Sequence, residues 1–142
     1  MDINPRTGIG DIRFGMQRDE VIALLGSEQT WEEWMGGNLN DSLLYPGLIL
    51  GFDAHDSYGP LPEGRLVQIV VSSKYPCNLF GLELKTVTRE MVLSSIASST
   101  AKHFPNRSIE APELNMHFYF KPDDTLCNLG FTAEEAQESP RS

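Results

Sequence analysis

The residues whose types and spacing come closest to a reactive site lie at positions 53–56, where Asp53, His55 and Asp56 fall within four residues. Carboxylate oxygens and a neutral imidazole are suitable ligands for a divalent cation. Neighbouring positions of a chain point in different directions, however, and no second cluster supplies the remaining ligands. We therefore interpret these residues as an acidic loop, keep a metal site as the alternative, and predict no cofactor.

Other reactive side chains are sparse and far apart in the sequence. The chain has three histidines, and it contains no GxSxG, HExxH, P-loop or GxGxxG motif. Cys77 and Cys127 lack CxxC spacing and fall in strand-like stretches, which predicts two reduced thiols in the core. The sequence therefore predicts a binding protein and not an enzyme, with a small enzyme that uses apposed carboxylates as an alternative.

Charge is the most informative bulk property. The formal net charge is −9, and no Lys or Arg occurs among the 46 residues between Arg18 and Arg65. This balance argues against binding bare nucleic acid or an anionic membrane. These 46 residues without Lys or Arg are typical either of a surface that steers a basic protein partner or of an acidic surface that serves only to keep the protein soluble. Its nine acidic residues are Asp19, Glu20, Glu28, Glu32, Glu33, Asp41, Asp53, Asp56 and Glu63.

The same span contains the aromatic residues that could anchor a partner. Trp31 and Trp34 are three positions apart and would share one face of a helical turn. Such a pair either covers a core or forms a partly exposed binding anchor, and both interpretations are open. The predicted partner-binding residues are Trp31, Glu32, Glu33, Trp34, Asp41, Asp53, Asp56 and Tyr58.

Two short helices are predicted to position these residues. In the first, Gln17 and Glu20 have the spacing of a capping box, and Gly26 ends the helix. Its predicted inward positions are Val21, Leu24 and Leu25. In the second, Thr88 is the N-cap of a helix predicted to run to about Phe104. Its predicted inward positions are Val92, Ile96, His103 and Phe104.

Alternating and β-branched segments predict the strands. Residues 66–71 (LVQIVV) are nearly continuous in apolar character, which predicts a central strand. Residues 117–120 and 125–131 predict a hairpin. The other predicted strands are 12–14, 43–52 and 80–84.

The two halves of the chain share one order of predicted elements, a short strand followed by a helix and then further strands. An offset of 71 places Gly10 on Gly81 and Val21 on Val92, and an offset of 60 places residues 66–71 on 126–131. We predict one α+β domain over residues 1–133, an antiparallel sheet with helices packed on one face, and two tandem half-repeats, 9–73 and 79–132. The first half then has eleven more residues, assigned to its Trp-rich, glycine-rich, acidic region, and residues 134–142 are predicted to form a flexible acidic tail.

The stretch IRFGMQRDEVIALLG (12–26) resembles the opening motif of the β-lactamase-inhibitor-protein-like fold and of small bacterial immunity proteins that share its helix-plus-sheet unit. The second stretch, LELKTVTREMVLSSI (82–96), has a similar spacing of strand and helix signals. It lacks the closing Leu-Gly and has Met91 where the first stretch has Glu20. This resemblance implies a binding protein whose free sheet face or loops plug the active site of another protein.

Together these features predict an acidic immunity protein that covers the basic active-site cleft of a bacterial toxin or effector. Cytoplasmic localisation is expected, because no apolar run reaches the ~20 residues of a membrane span and the start of the chain lacks signal-peptide character. The alternative to a binding protein or an enzyme is a small-molecule or lipid carrier with Phe118, Phe120 and Phe131 around its cavity. The oligomeric state and the identity of the partner are left open.

Overall fold

The computed structural model describes residues 1–29, 40–96 and 100–133. The predictions for Trp31, Glu32, Glu33 and Trp34 and for the tail 134–142 concern residues outside these ranges. The described residues form an α+β fold whose main sheet is antiparallel, as predicted.

The first half opens with three short strands and a helix: β1 (Ile3–Asn4), β2 (Gly8–Ile9), β3 (Ile12–Arg13) and α1 (Arg18–Leu25). It continues with five strands: β4 (Ser42–Tyr45), β5 (Leu48–Phe52), β6 (His55–Asp56), β7 (Gly59–Pro60) and β8 (Leu66–Ser72). The second half opens with β9 (Asn78–Leu79), β10 (Leu82–Glu83), a 3₁₀ turn (Leu84–Thr86) and α2 (Arg89–Ser95). It ends with β11 (Lys102–His103), β12 (Ile109–Ala111), a second 3₁₀ turn (Pro112–Leu114), β13 (Met116–Phe120) and β14 (Leu126–Thr132).

Seven strands form the main sheet in the order β11-β12-β13-β14-β8-β5-β4. The predicted central strand, β8, lies between β14 and β5, and Val71 is opposite both Leu129 and Leu48. Three apolar side chains of β8 and three of β14 belong to one hydrophobic core together with Val21 of α1 and Val92 of α2. Both helices therefore pack on the same face of the sheet, and we call the opposite side the open face.

The spatial arrangement of the two halves is symmetric about the β8–β14 pair. Strands β8, β5 and β4 follow one another to one edge, and β14, β13 and β12 follow one another towards the other. The offset of 60 brings β8 and β14, each seven residues long, into equivalent positions. A tandem duplication would produce this arrangement, but the half-repeats 9–73 and 79–132 stay a prediction.

The extra residues of the first half lie mostly in one place. The interval from Leu48 to Leu66 is eight residues longer than the equivalent interval from Met116 to Leu126. In the second half these strands are joined by residues 121–125, whereas in the first half the connection contains the hairpin of β6 and β7. Most of the additional length is therefore a hairpin and not the glycine-rich segment before β4.

Helix α1 begins as predicted but presents a different inward face. The Glu20 Oε1 atom accepts a hydrogen bond from the Gln17 N–H at 2.9 Å, and Gly26 follows with φ +85°. Val21 is buried, whereas Leu24 is 49% exposed. The inward side is centred on Val21, Ile22 and Leu25, so Leu24 lies at its margin.

Helix α2 is much shorter than predicted. Thr88 caps it as predicted, but it ends at Ser95, because the Ser94 and Ser95 hydroxyls donate to helix carbonyls and Lys102–His103 pairs with β12 as an edge strand. His103 and Phe104 are consequently exposed and not inward.

The two cysteines also differ from one another. Cys77 is buried, and burial raises the pKa of its thiol to about 11. Cys127 is exposed, because the register of β13 and β14 shifts between the pairs Tyr119–Asn128 and Phe120–Leu126. Cys127 is the extra residue at this irregularity, so it is turned outward although it lies two positions before buried Leu129. The prediction of a core thiol was therefore wrong for Cys127.

Candidate functional site

The hairpin of β6 and β7 is closed at its base by paired backbone and side-chain bonds. The Asp53 N–H donates to the Arg65 carbonyl at 3.0 Å, and the Asp53 Oδ1 atom accepts from the Arg65 N–H at 2.8 Å. The Leu61 N–H donates to the Ala54 carbonyl one step further along. Residues 53–65 therefore form a defined structure on a stretch that the sequence suggested was a loop.

At the tip of the hairpin a tyrosine projects into solvent. Tyr58 is 96% exposed, the highest value among the exposed large apolar residues of the described chain. Its N–H donates to the Asp56 Oδ1 atom at 2.8 Å, and Gly59 takes φ +137°. This side-chain turn fixes the backbone of Tyr58 while leaving its ring free.

Two arginines attach the hairpin to the start of α1. The Arg18 Nη1 atom donates to the Pro60 carbonyl at 3.1 Å, and the Arg65 Nη1 atom donates to the Gly15 carbonyl at 2.8 Å. At Gly64 an added Cβ would lie 2.9 Å from the Ala54 carbonyl oxygen, so the base of the hairpin is closely packed. These contacts hold the tip in a fixed position relative to the fold.

The structure brings four of the eight predicted partner-binding residues to one end of the sheet. Asp53 precedes β6, Asp56 is the last residue of β6, and Tyr58 is at the tip. The Asp41 carbonyl accepts the Phe52 N–H at 2.8 Å, which places Asp41 beside the strand that leads into the hairpin. Glu63 is exposed on the returning side, and we add it to the site. We call this set the hairpin patch: Asp41, Asp53, Asp56, Tyr58 and Glu63.

Charge in the hairpin patch is distributed unevenly. Arg18 and Arg65 lie at the base, and Arg18 also pairs with Asp19 at 3.0 Å. Asp56 near the tip and Glu63 have no ion pair to a described Lys or Arg. The arginines that bound the acidic span in the sequence therefore offset its charge at the base of the hairpin, while its outer part is anionic.

The Asp53, His55 and Asp56 cluster is spread along the hairpin. Both acids use a carboxylate oxygen to accept a backbone N–H, and His55 is exposed on β6. Across residues 1–29, 40–96 and 100–133, no three His, Cys, Asp or Glu side chains converge as metal ligands would.

A serine and a histidine of the second half also contact each other, but their contact stabilises a loop and does not form a catalytic pair. The His117 Nε2 atom lies 2.9 Å from the Ser108 Oγ atom, which donates to the Asn106 Oδ1 atom at 2.7 Å. Ser108 is only 2% exposed, so a substrate could not reach its hydroxyl without rearrangement. Burial lowers the pKa of His117, which favours the neutral form of the imidazole. The pair holds the loop between β11 and β12.

The aromatic residues named for a carrier cavity lie mainly in the core. Phe118 and Phe131 are fully buried members of the hydrophobic cluster, and Phe120 packs against it. Their positions favour core packing over a ligand cavity. Among the described residues, neither helix has the length and apolar character needed to cross a membrane.

Comparisons with protein-family models, curated proteins and solved structures found no significant match to this chain.

Proposed function

We propose that this chain is an acidic protein-binding module, an immunity protein that inhibits a bacterial toxin by covering its basic active-site cleft. The observation that carries the proposal is the exposed ring of Tyr58 on a closed, acidic hairpin. An exposed aromatic side chain on a fixed backbone loses little freedom on binding, which is the property of an interface anchor.

The difference between the halves supports this assignment. The fold is complete in the second half with residues 121–125 between β13 and β14, so the hairpin is not needed to close the sheet. An addition that carries acidic residues and an exposed ring on a rigid scaffold is typical of a recognition loop.

The sheet edges make a different binding mode less favourable. At the β4 edge, the Leu44 N–H donates to the Glu28 Oε1 atom at 2.9 Å, and the Leu44 carbonyl accepts the Gln29 N–H at 2.8 Å. The other edge strand, β11, has only two residues, one of them Lys102. Because both edges are blunted, recognition through a loop is favoured over addition of a partner strand.

The test begins with capture of partners by the full chain at low and high salt, followed by purification of the partner and an activity assay. We expect the captured partner to be a protein with a basic active-site cleft. Its activity should be inhibited when this chain and the partner are mixed in a one-to-one ratio. Tyr58→Ala should raise the dissociation rate about tenfold or more, because an anchor acts mainly on dissociation.

Met91→Ala is the matched control, since Met91 is an exposed apolar residue on α2, away from the hairpin. Both variants should keep the unfolding free energy within about 0.5 kcal/mol of the parent chain. A partner that binds Tyr58→Ala and Met91→Ala equally well, or that retains full activity in the complex, would overturn the proposal.

A further inference from the structure

The open face contains a depression of about 260 Å³ over strands β8, β13 and β14. Glu110, His117, Gly130 and Val70 are successive cross-strand neighbours on β12, β13, β14 and β8. Gly130 has no side chain, so the surface sinks between His117 and Val70.

The backbone does not require a glycine at position 130. Gly130 is not among the residues with positive φ, and an added Cβ would come no closer than 3.6 Å to the Val70 Cγ2 atom. A glycine inside a strand weakens the sheet, and it commonly marks a place where another group approaches closely. Its presence here is explained by the space it leaves above the sheet.

The side chains around this space form an anionic, hydrogen-bonding site. Among the described residues that line the depression, Glu110 supplies the one formal charge, while Gln68 and Asn128 supply amide oxygens. None of these described lining residues is a lysine or an arginine. Glu110 also has no ion pair to another described residue. Lys102 on β11 is the cross-strand partner of Glu110, and the two side chains do not form an ion pair, so the Glu110 carboxylate is unpaired beside a lysine at the outer edge of the rim.

An aromatic row borders the same depression. The Phe104 and His117 ring centroids are 5.2 Å apart, and those of His117 and Tyr119 are 4.5 Å apart, with both pairs stacked. Phe104 and Tyr119, at the two ends of the row, are both exposed, and Tyr119 is opposite Asn128 in the sheet. A planar cation could lie against the Tyr119 ring while its donors reach oxygens of the rim.

We propose that the depression above Gly130 receives an arginine side chain of the basic partner, with Glu110 as the carboxylate that pairs with its guanidinium. This inference rests on the proposed function, which supplies a basic protein as the source of the arginine. Arginine suits the site better than lysine, because its planar group has five donors in different directions and stacks on aromatic rings, whereas an ammonium is a point charge.

The experiment uses N-acetyl-arginine-methylamide as the probe and follows backbone amide shifts of the full chain by NMR. We expect saturable shifts that centre on Glu110, His117, Asn128 and Gly130, with a dissociation constant on the order of 1 mM. The citrulline analogue has the same shape without the charge and should bind about tenfold more weakly. Shifts of equal size with the citrulline analogue, or shifts spread over the surface, would overturn the inference.

Two variants test the site itself. Gly130→Val fills the depression, and Glu110→Gln keeps its volume but removes the charge; each should weaken probe binding about tenfold. Glu83→Gln is the matched control, because it removes one exposed carboxylate at β10 and should leave binding unchanged. If Gly130→Val does not fold, a comparison of probe binding by Glu110→Gln and Glu83→Gln still tests whether the Glu110 carboxylate binds the guanidinium.

The complex with the partner separates this inference from the proposed function. Loss of affinity with Tyr58→Ala but none with Gly130→Val or Glu110→Gln would overturn the arginine site and leave the proposed function standing. A captured partner that is not inhibited by the chain, but whose binding requires both Glu110 and one of its own arginines, would support the arginine site and overturn the inhibitor function.

Discussion

His117 shows how a single residue acquires a measurable property from its place in the sheet. It is stacked between Phe104 and Tyr119 and bonded to Ser108, and burial lowers its pKa although Glu110 on the neighbouring strand acts in the opposite direction. An unfolded histidine takes up a proton as the pH falls through its ordinary value of 6.5, while folded His117 stays neutral until lower pH. The unfolded state then binds more protons, so acidification through this range destabilises the fold.

We therefore expect the unfolding free energy to fall as the pH is lowered from about 7.5 to 5.5, and His117→Gln to remove part of that slope. Urea denaturation at several pH values measures the slope. Subtracting the slope of His117→Gln from that of the parent chain removes the contribution of the other titrating groups. His55→Gln makes the same substitution at an exposed position and is the control variant. Equal slopes for the parent chain and His117→Gln would contradict the assignment.

At the scale of elements, the two helices make equivalent contacts with the core. Val21 of α1 and Val92 of α2 are both 0% exposed and belong to the same cluster. Val21→Ala and Val92→Ala should each lower the unfolding free energy by about 2 kcal/mol, because each deletes two buried methyl groups and leaves a small cavity.

Urea denaturation tests this equivalence. Leu24→Ala, at the exposed margin of α1, is the control and should change stability by less than about 0.5 kcal/mol. If Val92→Ala were as well tolerated as Leu24→Ala, the two helices would not have equivalent roles and the half-repeat hypothesis would lose support.

The elements that could be predicted from the sequence are those specified by neighbouring residues. Capping residues at Gln17 and Thr88 fix both helix starts locally, and alternation together with β-branched content identifies β8 and β14. The end of α2 could not be predicted in this way, because it depends on the pairing of Lys102–His103 with β12.

The candidate site likewise has features specified by neighbouring residues and features that depend on residues far apart in the chain. Acidic charge and an aromatic residue identified Asp53, Asp56 and Tyr58 from the sequence. The rigidity of the hairpin depends on Arg18 reaching Pro60 and Arg65 reaching Gly15, 42 and 50 positions apart in the chain. Gly130 gave no signal in the sequence, because its importance lies in its place between the neighbouring strands β13 and β8.

At the scale of the whole molecule, the fold is close to symmetric but its surface is not. The hairpin patch belongs to the first half, whereas the depression above Gly130 is lined mainly by the second. A net charge of −9 acts on every approaching partner, but only a localised patch gives that attraction a direction. The position of a charge should therefore matter more to association than the total.

Glu63→Lys against Glu83→Lys separates position from total charge, since both are exposed acids and each reversal changes the net charge equally. Glu63 lies on the hairpin patch and makes no ion pair to a described residue, so its reversal should weaken steering without disturbing the hairpin. We expect Glu63→Lys to slow association with the purified partner several-fold at about 0.05 M salt and to have little effect at about 0.5 M, where screening is strong. Stopped-flow measurements give both rates, and the dissociation rate should change little. Equal slowing by the two variants would mean that net charge alone attracts the partner and that the hairpin patch does not direct it.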